Sequence, residues 1–144
     1  MTTARVFVDT GAWFAVQATD DSRHAVARET FRRLLAAEQA LVVSNLVIGE
    51  TYTLLRVSRG YQKAKRFLDM LAQSRRIERL FITEQVERQA YELLERFADH
   101  PFSFVDATSF ALMRQQRIGY AFAFDAHFAT AGFLRIPLDV QLAE

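Results

Sequence analysis

Cysteine is missing from this 144-residue sequence, and histidine is scarce. The absence of cysteine excludes disulfides, thiolate nucleophiles and Cys-ligated zinc or iron–sulfur centres. The three histidines, His24, His100 and His127, are scattered and leave little nitrogen ligation for a metal. Any metal site in this chain is therefore expected to rest on carboxylates.

Long apolar runs and an excess of one charge are also missing. No run approaches the roughly 18 residues of a membrane span, and Asp9 interrupts the only candidate for a signal-peptide core. We therefore expect a cytoplasmic protein that does not enter a membrane. The 18 basic and 17 acidic residues give a net charge of +1, so bulk charge indicates no class of partner.

Apolar and aromatic residues are abundant. The hydrophobic fraction is 51%, and thirteen residues are phenylalanine, which indicates a packed core and argues against disorder. A chain of this length can bury about two thirds of its unfolded surface. We expect one domain over residues 1–144, with no repeat or linker.

Apolar runs alternate with segments of helical period. The pattern predicts strands at 4–8, 40–43, 79–82, 120–124 and 133–136, and helices at 22–38, 45–59, 61–74, 83–99 and 104–117. Strands that alternate with helices indicate a parallel sheet covered on both faces. The predicted fold class is α/β, a three-layer α/β/α sandwich with a central parallel sheet.

Two acids stand at the ends of predicted strands. Asp9 follows the run Val6–Val8, and Asp125 follows Ala121–Phe124. Because ligands bind beyond the carboxyl ends of parallel strands, both acids should face one edge of the sheet. Each acid has an alternative reading as the N-cap of the helical turn that follows it, and the sequence leaves both readings open.

Two further acids lie in helices among apolar residues. Helical projection places Glu50 within about 60° of four apolar residues, Leu46, Val47, Leu54 and Val57. No basic residue lies three or four positions away to pair with it. This pattern predicts a buried, functional acid on the apolar face of the helix. Asp106 also projects between apolar residues, but Ser103-x-x-Asp106 before an apolar run is a capping-box pattern, which favours a cap when Asp106 is considered alone.

Convergence of the four acids would create a site with hard oxygen ligands alone. Like charges in such a site raise one another's pKa unless a cation neutralises them. Oxygen ligands favour Mg²⁺ or Mn²⁺ over zinc. Such a site is suited to metal-assisted hydrolysis of phosphodiesters.

Four segments resemble, in order and spacing, the acidic motifs of PIN-domain ribonucleases. They are RVFVDTGAWFA, SNLVIGETYTLL, SFVDATSFALM and AFAFDAHFATAGF, and the resemblance is greatest to VapC-type toxins of toxin–antitoxin pairs. It covers the chain from Val6 to about residue 136.

The resemblance implies a PIN-like sandwich and a metal-dependent endoribonuclease. It implies that Asp9, Glu50, Asp106 and Asp125 bind Mg²⁺ or Mn²⁺ and position the water that cleaves RNA, with Thr10 as a supporting hydroxyl. It also implies a homodimer and a cognate antitoxin that blocks the acidic pocket. His127 stands where some relatives carry another acid, so the number of metal ions is left open.

A block of basic residues follows Glu50. Arg56, Arg59, Lys63, Lys65 and Arg66 occur there before the next acid, Asp69. The block is a candidate RNA-binding surface, and a solvated helical surface is the alternative. Two other functions also stay open: a PIN nuclease of RNA processing or DNA flaps, and a catalytically silent metal- or RNA-binding module.

Overall fold

The computed structural model describes residues 4–142, which form five strands and seven helices. The strands are β1 (Arg5–Val8), β2 (Ala40–Ser44), β3 (Ile77–Leu80), β4 (Tyr120–Phe122) and β5 (Leu134–Ile136). The helices are α1 (Thr10–Gln17), α2 (His24–Ala36), α3 (Asn45–Arg59), α4 (Tyr61–Gln73), α5 (Glu84–Arg96), α6 (Phe104–Gln116) and α7 (Ala126–Thr130).

The strands make one parallel sheet in the order β3-β2-β1-β4-β5. β1 is central, because its Val6 pairs with Leu41 of β2 on one side and with Tyr120 of β4 on the other. Right-handed crossovers place α1–α4 on one face and α5–α7 on the other. The contacts of α1 with α2 and α3, and of α6 with α5 and α7, agree with this arrangement. The predicted fold class is confirmed.

Aromatic side chains fill both interfaces between the sheet and its helices. Trp13 of α1 is fully buried and contacts the rings of Phe31 and Phe67. Beyond the other face, Phe110 of α6 contacts Phe128 edge-on, with ring centroids 4.9 Å apart. The abundance of phenylalanine therefore reflects two packed layers that hold the sheet rigid beneath its carboxyl edge.

Two segments differ from the sequence prediction. The strand expected at 79–82 begins two residues earlier, at Ile77, because its pairing with β2 runs from Leu41↔Ile77 to Ser44↔Leu80. The next residue, Phe81, is 67% exposed and lies outside the sheet. Residues 10–17 form a helix of eight residues, longer than the single turn expected after Asp9.

The remaining predicted elements begin and end within three residues of the observed ones. Their boundaries carry local signals, such as the Ser44 hydroxyl that accepts a hydrogen bond from the Val47 N–H at the start of α3. Within residues 4–142, no helix combines the length and apolar character that crossing a membrane would require.

Candidate functional site

The chain leaves β1 and β4, which are neighbours in the sheet, in opposite directions. β1 leads through α1 and α2 to β2 on one side, and β4 leads through α7 to β5 on the other. Such a reversal opens a crevice beyond the carboxyl ends of the two strands. Asp9 stands at this point, and its backbone N–H donates to the Phe122 carbonyl at 3.1 Å. Asp125 follows β4 at the same edge of the sheet.

Asp9 is buried at the N-cap position of α1. Only 7% of the residue is exposed, and its side chain makes no capping hydrogen bond with α1. Burial raises the pKa of Asp9 from 3.8 to about 7, and the negative charges of Asp106, Glu50 and Asp125 add to this rise, whereas the Thr10 backbone opposes it. The Asp9 carboxylate thus lies within electrostatic reach of the other three acids and is costly to ionise in the absence of a cation.

Glu50 does not lie on the buried face of its helix, so that part of the prediction was wrong. α3 turns Val47, Thr51 and Leu55 towards the core. Glu50 is exposed, on a second apolar stripe where Val57 is 81% exposed. Helical projection identified the stripe, but it cannot tell which of two stripes packs inward. The charge of Glu50 still contributes to the raised pKa of Asp9.

Asp106 forms a capping box and also contacts His127 at the candidate site. The capping box is present: the Asp106 N–H donates to Ser103 Oγ at 3.0 Å, and Asp106 Oδ2 accepts from the Ser103 N–H at 3.0 Å. The same Oδ2 lies 3.1 Å from His127 Nδ1. Asp106 is 9% exposed, so the cap also holds a largely buried carboxylate at the site.

Asp125 caps the short helix α7 and brings His127 into the site. Asp125 Oδ1 accepts a hydrogen bond from the His127 N–H at 2.8 Å and lies 3.5 Å from His127 Nδ1. Asp106, Asp125 and His127 offer ligand atoms that all lie within 4.8 Å of one another. The sequence prediction did not include His127 among the site residues, and its position two residues after a strand-end acid was the available signal.

The donor chemistry of this cluster suits a hard divalent cation. Carboxylate oxygens predominate and one imidazole is present, a set compatible with Mg²⁺ or Mn²⁺. Thr10 lies beside Asp9, is 6% exposed, and its Oγ1 has no hydrogen-bond partner within residues 4–142. A buried hydroxyl without a partner and an acid with a raised pKa both fit a site that takes up a cation with its water.

Much of the basic block is held by contacts within the fold. Arg59 donates to Asp20 at 2.8 Å and lies over the ring of Phe14, 5.3 Å from its centroid. Lys63 donates to the Gln17 carbonyl at 3.1 Å. These contacts place both side chains beside α1, the helix that begins next to Asp9.

The other members of the block project from the protein surface. Lys65 pairs with Asp69 along α4 at 2.8 Å, as a solvated helical surface would. Arg56 and Arg66 are exposed, and the Arg56 guanidinium lies 5.9 Å from the centroid of the Tyr61 ring. The five residues therefore do not form a single cluster of equivalent cations.

Comparison with known proteins gives consistent similarities. A model of the PIN domain family matches residues 6–134. The 23S rRNA-specific endonuclease VapC20 of Mycobacterium tuberculosis, in strains CDC 1551 and H37Rv, is 41% identical over 133 residues, covering 91% of this chain and 97% of the relative.

Two solved structures share the architecture. The crystal structure of M. tuberculosis VapC20, described as a sarcin–ricin loop cleaving toxin, matches with a TM-score of 0.82 at 39% identity, covering 91% of this chain and 98% of that one. VapBC2 from Rickettsia felis, bound to a DNA fragment from its promoter, matches with a TM-score of 0.65 at 15% identity, covering 88% and 92% of the two chains. The second likeness concerns the fold alone.

Proposed function

We propose a function from the premise that this chain belongs to the PIN domain family and is a homologue of VapC toxins. The protein is a metal-dependent endoribonuclease and the toxin of a toxin–antitoxin pair. The observation that supports the proposal is that Asp106 and Asp125 lie with His127 in one cluster, and that the charges of Asp106, Glu50 and Asp125 raise the pKa of the buried Asp9. The resemblance seen in the four sequence motifs is confirmed. The similarity to VapC20 does not favour the readings as an RNA-processing nuclease or a silent module.

We assign Asp9, Glu50, Asp106 and Asp125 to the binding of Mg²⁺, with Mn²⁺ as an alternative ion. The ion would supply positive charge that eases ionisation of a water molecule and stabilises the charge that develops on the phosphate. The positive charge would favour ionisation of Asp9 most, because the Asp9 carboxylate is buried within electrostatic reach of other negative charges.

We assign Glu50 and Thr10 to the positioning of the water molecule that attacks the phosphate. Glu50 is exposed and can approach a water molecule from the solvent side. The Thr10 hydroxyl is buried beside Asp9 and has no hydrogen-bond partner among residues 4–142, so we assign it a supporting role there. The reaction adds water across a phosphodiester, so a P–O bond breaks and the leaving oxygen takes up a proton.

The substrate we propose is the sarcin–ricin loop of 23S rRNA. Relatives named for this activity support it, since they match nearly the whole chain. We assign phosphate contacts to the basic block of Arg56, Arg59, Lys63, Lys65 and Arg66, in which the exposed Arg56 and Arg66 are most accessible. The place of action is then the cytoplasm, where ribosomes are found.

We further propose a cognate antitoxin as partner, acting on a homodimer of this single domain. A groove of about 720 Å³ runs between α3 and the start of α6, with Leu54, Val57 and Phe104 in its wall and Glu50 in its lining. An antitoxin segment with apolar side chains would bury this wall and, at Glu50, obstruct the acidic site.

The experiment that tests the activity is cleavage of a sarcin–ricin loop oligonucleotide and of total RNA by the purified protein. Cleavage is measured with Mg²⁺, with Mn²⁺ and with EDTA. We expect discrete fragments that require the metal, and a loss of about 100-fold or more in Asp9→Asn.

The matched control is Asp69→Asn, which makes the same change at a half-exposed acid paired with Lys65. It should cleave as the wild type does. Cleavage that persists in EDTA, or in folded Asp9→Asn, would refute the metal mechanism. Cleavage of other RNA but not of the loop would reject the substrate alone.

A further inference from the structure

The imidazole of His127 lies between two of the proposed metal ligands, and the proposed function gives it no role. Its Nδ1 is 3.1 Å from Asp106 Oδ2 and 3.5 Å from Asp125 Oδ1. An ionised carboxylate accepts hydrogen bonds and donates none, so Nδ1 carries the proton in this arrangement. The N–H is therefore hydrogen-bonded to Asp106, and Asp125 Oδ1 lies nearby.

The hydrogen bonds at this cluster distinguish the two oxygens of each carboxylate. Asp106 Oδ2 also accepts from the Ser103 N–H, and Asp125 Oδ1 also accepts from the His127 N–H. Asp106 Oδ1 and Asp125 Oδ2 have no donor within residues 4–142. Each acid thus has one oxygen held by the protein and one available to a cation.

The ring of His127 is itself held in place. It packs edge-on against Phe102, with centroids 5.0 Å apart, and Phe102 packs in turn against the buried Phe110 at 5.1 Å. The His127 side chain is 27% exposed, so it is partly shielded from water. This packing holds the plane of the imidazole ring in place independently of any ion.

We propose that His127 is a positioning residue whose Nδ1–H is hydrogen-bonded to Asp106, with Asp125 Oδ1 3.5 Å away, and leaves the other oxygens of both acids available to a shared divalent cation. The inference rests on the proposed function for the identity of that cation. Donors that orient metal-binding side chains typically change metal affinity or activity by about 10- to 100-fold when removed. This contact also links α6 to α7, the next helix along the chain after β4.

The test compares His127→Asn with His127→Leu in the full-length protein. The two replacements have nearly the same size and shape, but only asparagine keeps an N–H near the position of Nδ1. The probe is Mn²⁺ alone, titrated by the EPR signal of the free ion, followed by kcat and KM for the sarcin–ricin loop oligonucleotide. His100→Leu, which alters a histidine stacked on Phe102 outside the cluster, is the control.

We expect His127→Leu to bind Mn²⁺ at least tenfold more weakly and to lower kcat with little change in KM. His127→Asn should stay within about threefold of the wild type, as should His100→Leu. Wild-type affinity in His127→Leu, or an equal loss in His127→Asn and His127→Leu, would overturn the proposal.

Pulsed EPR of the Mn²⁺-loaded wild type separates positioning from ligation. A nitrogen coupling of the size expected for a directly bound imidazole, lost in His127→Asn, would make His127 a ligand and overturn the proposal. Because Mn²⁺ binding needs no RNA, normal binding and variant effects without RNA cleavage would reject the proposed function but support the role of His127. A wild type that binds no Mn²⁺ would reject both.

Discussion

At the scale of single residues, Asp9 shows how a site can oppose the stability of its own fold. Its carboxyl is buried within electrostatic reach of three other acids, and its pKa is raised to about 7. A raised pKa means that the neutral form is favoured in the folded protein. Ionisation of Asp9 therefore costs folding free energy until a cation binds.

This leads to a prediction about pH. Without a divalent cation, the contribution of Asp9 to stability is fully present below pH 3.8 and is lost as the pH rises through about 7. Asp9→Asn removes the ionisation, so the variant should be more stable than the wild type at pH 8, by up to about 4 kcal/mol. Urea unfolding in EDTA at pH 5 and pH 8 measures the difference, which should shrink at pH 5. A difference that is the same at both values would contradict the assigned cause.

Asp106 illustrates a different point at the same scale. A capping box and a metal ligand were alternatives in the sequence, yet the structure satisfies the cap and leaves one oxygen of Asp106 available. The two uses are compatible because a carboxylate has two oxygens with several acceptor positions. A local motif at such a residue does not exclude a function there.

At the scale of elements, α3 carries two apolar stripes with different uses. Val47, Thr51 and Leu55 face the core, whereas Leu54 and Val57 line the groove. An exposed apolar stripe beside a candidate active site marks a surface for a partner.

The groove yields a prediction for one substitution. Val57→Glu should weaken binding of the proposed cognate antitoxin by roughly 30-fold or about 2 kcal/mol, because it places a charge against an apolar partner. RNA cleavage by the free protein should persist. Calorimetric titration measures the affinity, and Val26→Glu, at a 51% exposed position on α2, is the matched control.

Light scattering on the same variants identifies the partner that uses the groove. If Val57→Glu loses the homodimer but keeps its affinity for the antitoxin, the groove is part of the dimer interface and is not the antitoxin-binding site. If Val26→Glu loses antitoxin binding equally, the effect of Val57→Glu is not specific to the groove.

At the scale of the whole molecule, the candidate site joins parts of the chain that are far apart. Its acids come from residues 9, 50, 106 and 125, which precede or lie in four different helices. A ligand bound by all of them stabilises only the folded state, since the unfolded chain does not bring them together.

Metal binding should therefore raise the free energy of unfolding of the whole protein. At Mn²⁺ concentrations of about 100 times the dissociation constant, the gain should be about 2.7 kcal/mol. Thermal unfolding followed by circular dichroism checks this, with EDTA added to reverse the shift. Asp125→Asn should show a clearly smaller gain than Asp69→Asn, and equal gains would place the ion elsewhere.

Much of this protein was determined by its sequence alone. The apolar runs, caps and helical periods defined the α/β class, and acids placed directly after strands indicated the carboxyl edge of the sheet. These features depend on interactions between residues a few positions apart, which a sequence displays directly. The capping box at Ser103 and Asp106 is of this kind, and the structure contains it as predicted.

Only the tertiary structure decided which local features meet. It placed β1 beside β4, so that Asp9 and Asp125 share one edge, and it turned Glu50 outwards on α3. It also set the start of β3 at Ile77 and brought His127 between two carboxylates. These outcomes depend on the order of the strands and on which stripe of each helix is buried. Local sequence patterns allow several such arrangements equally, and packing between distant segments selects one of them.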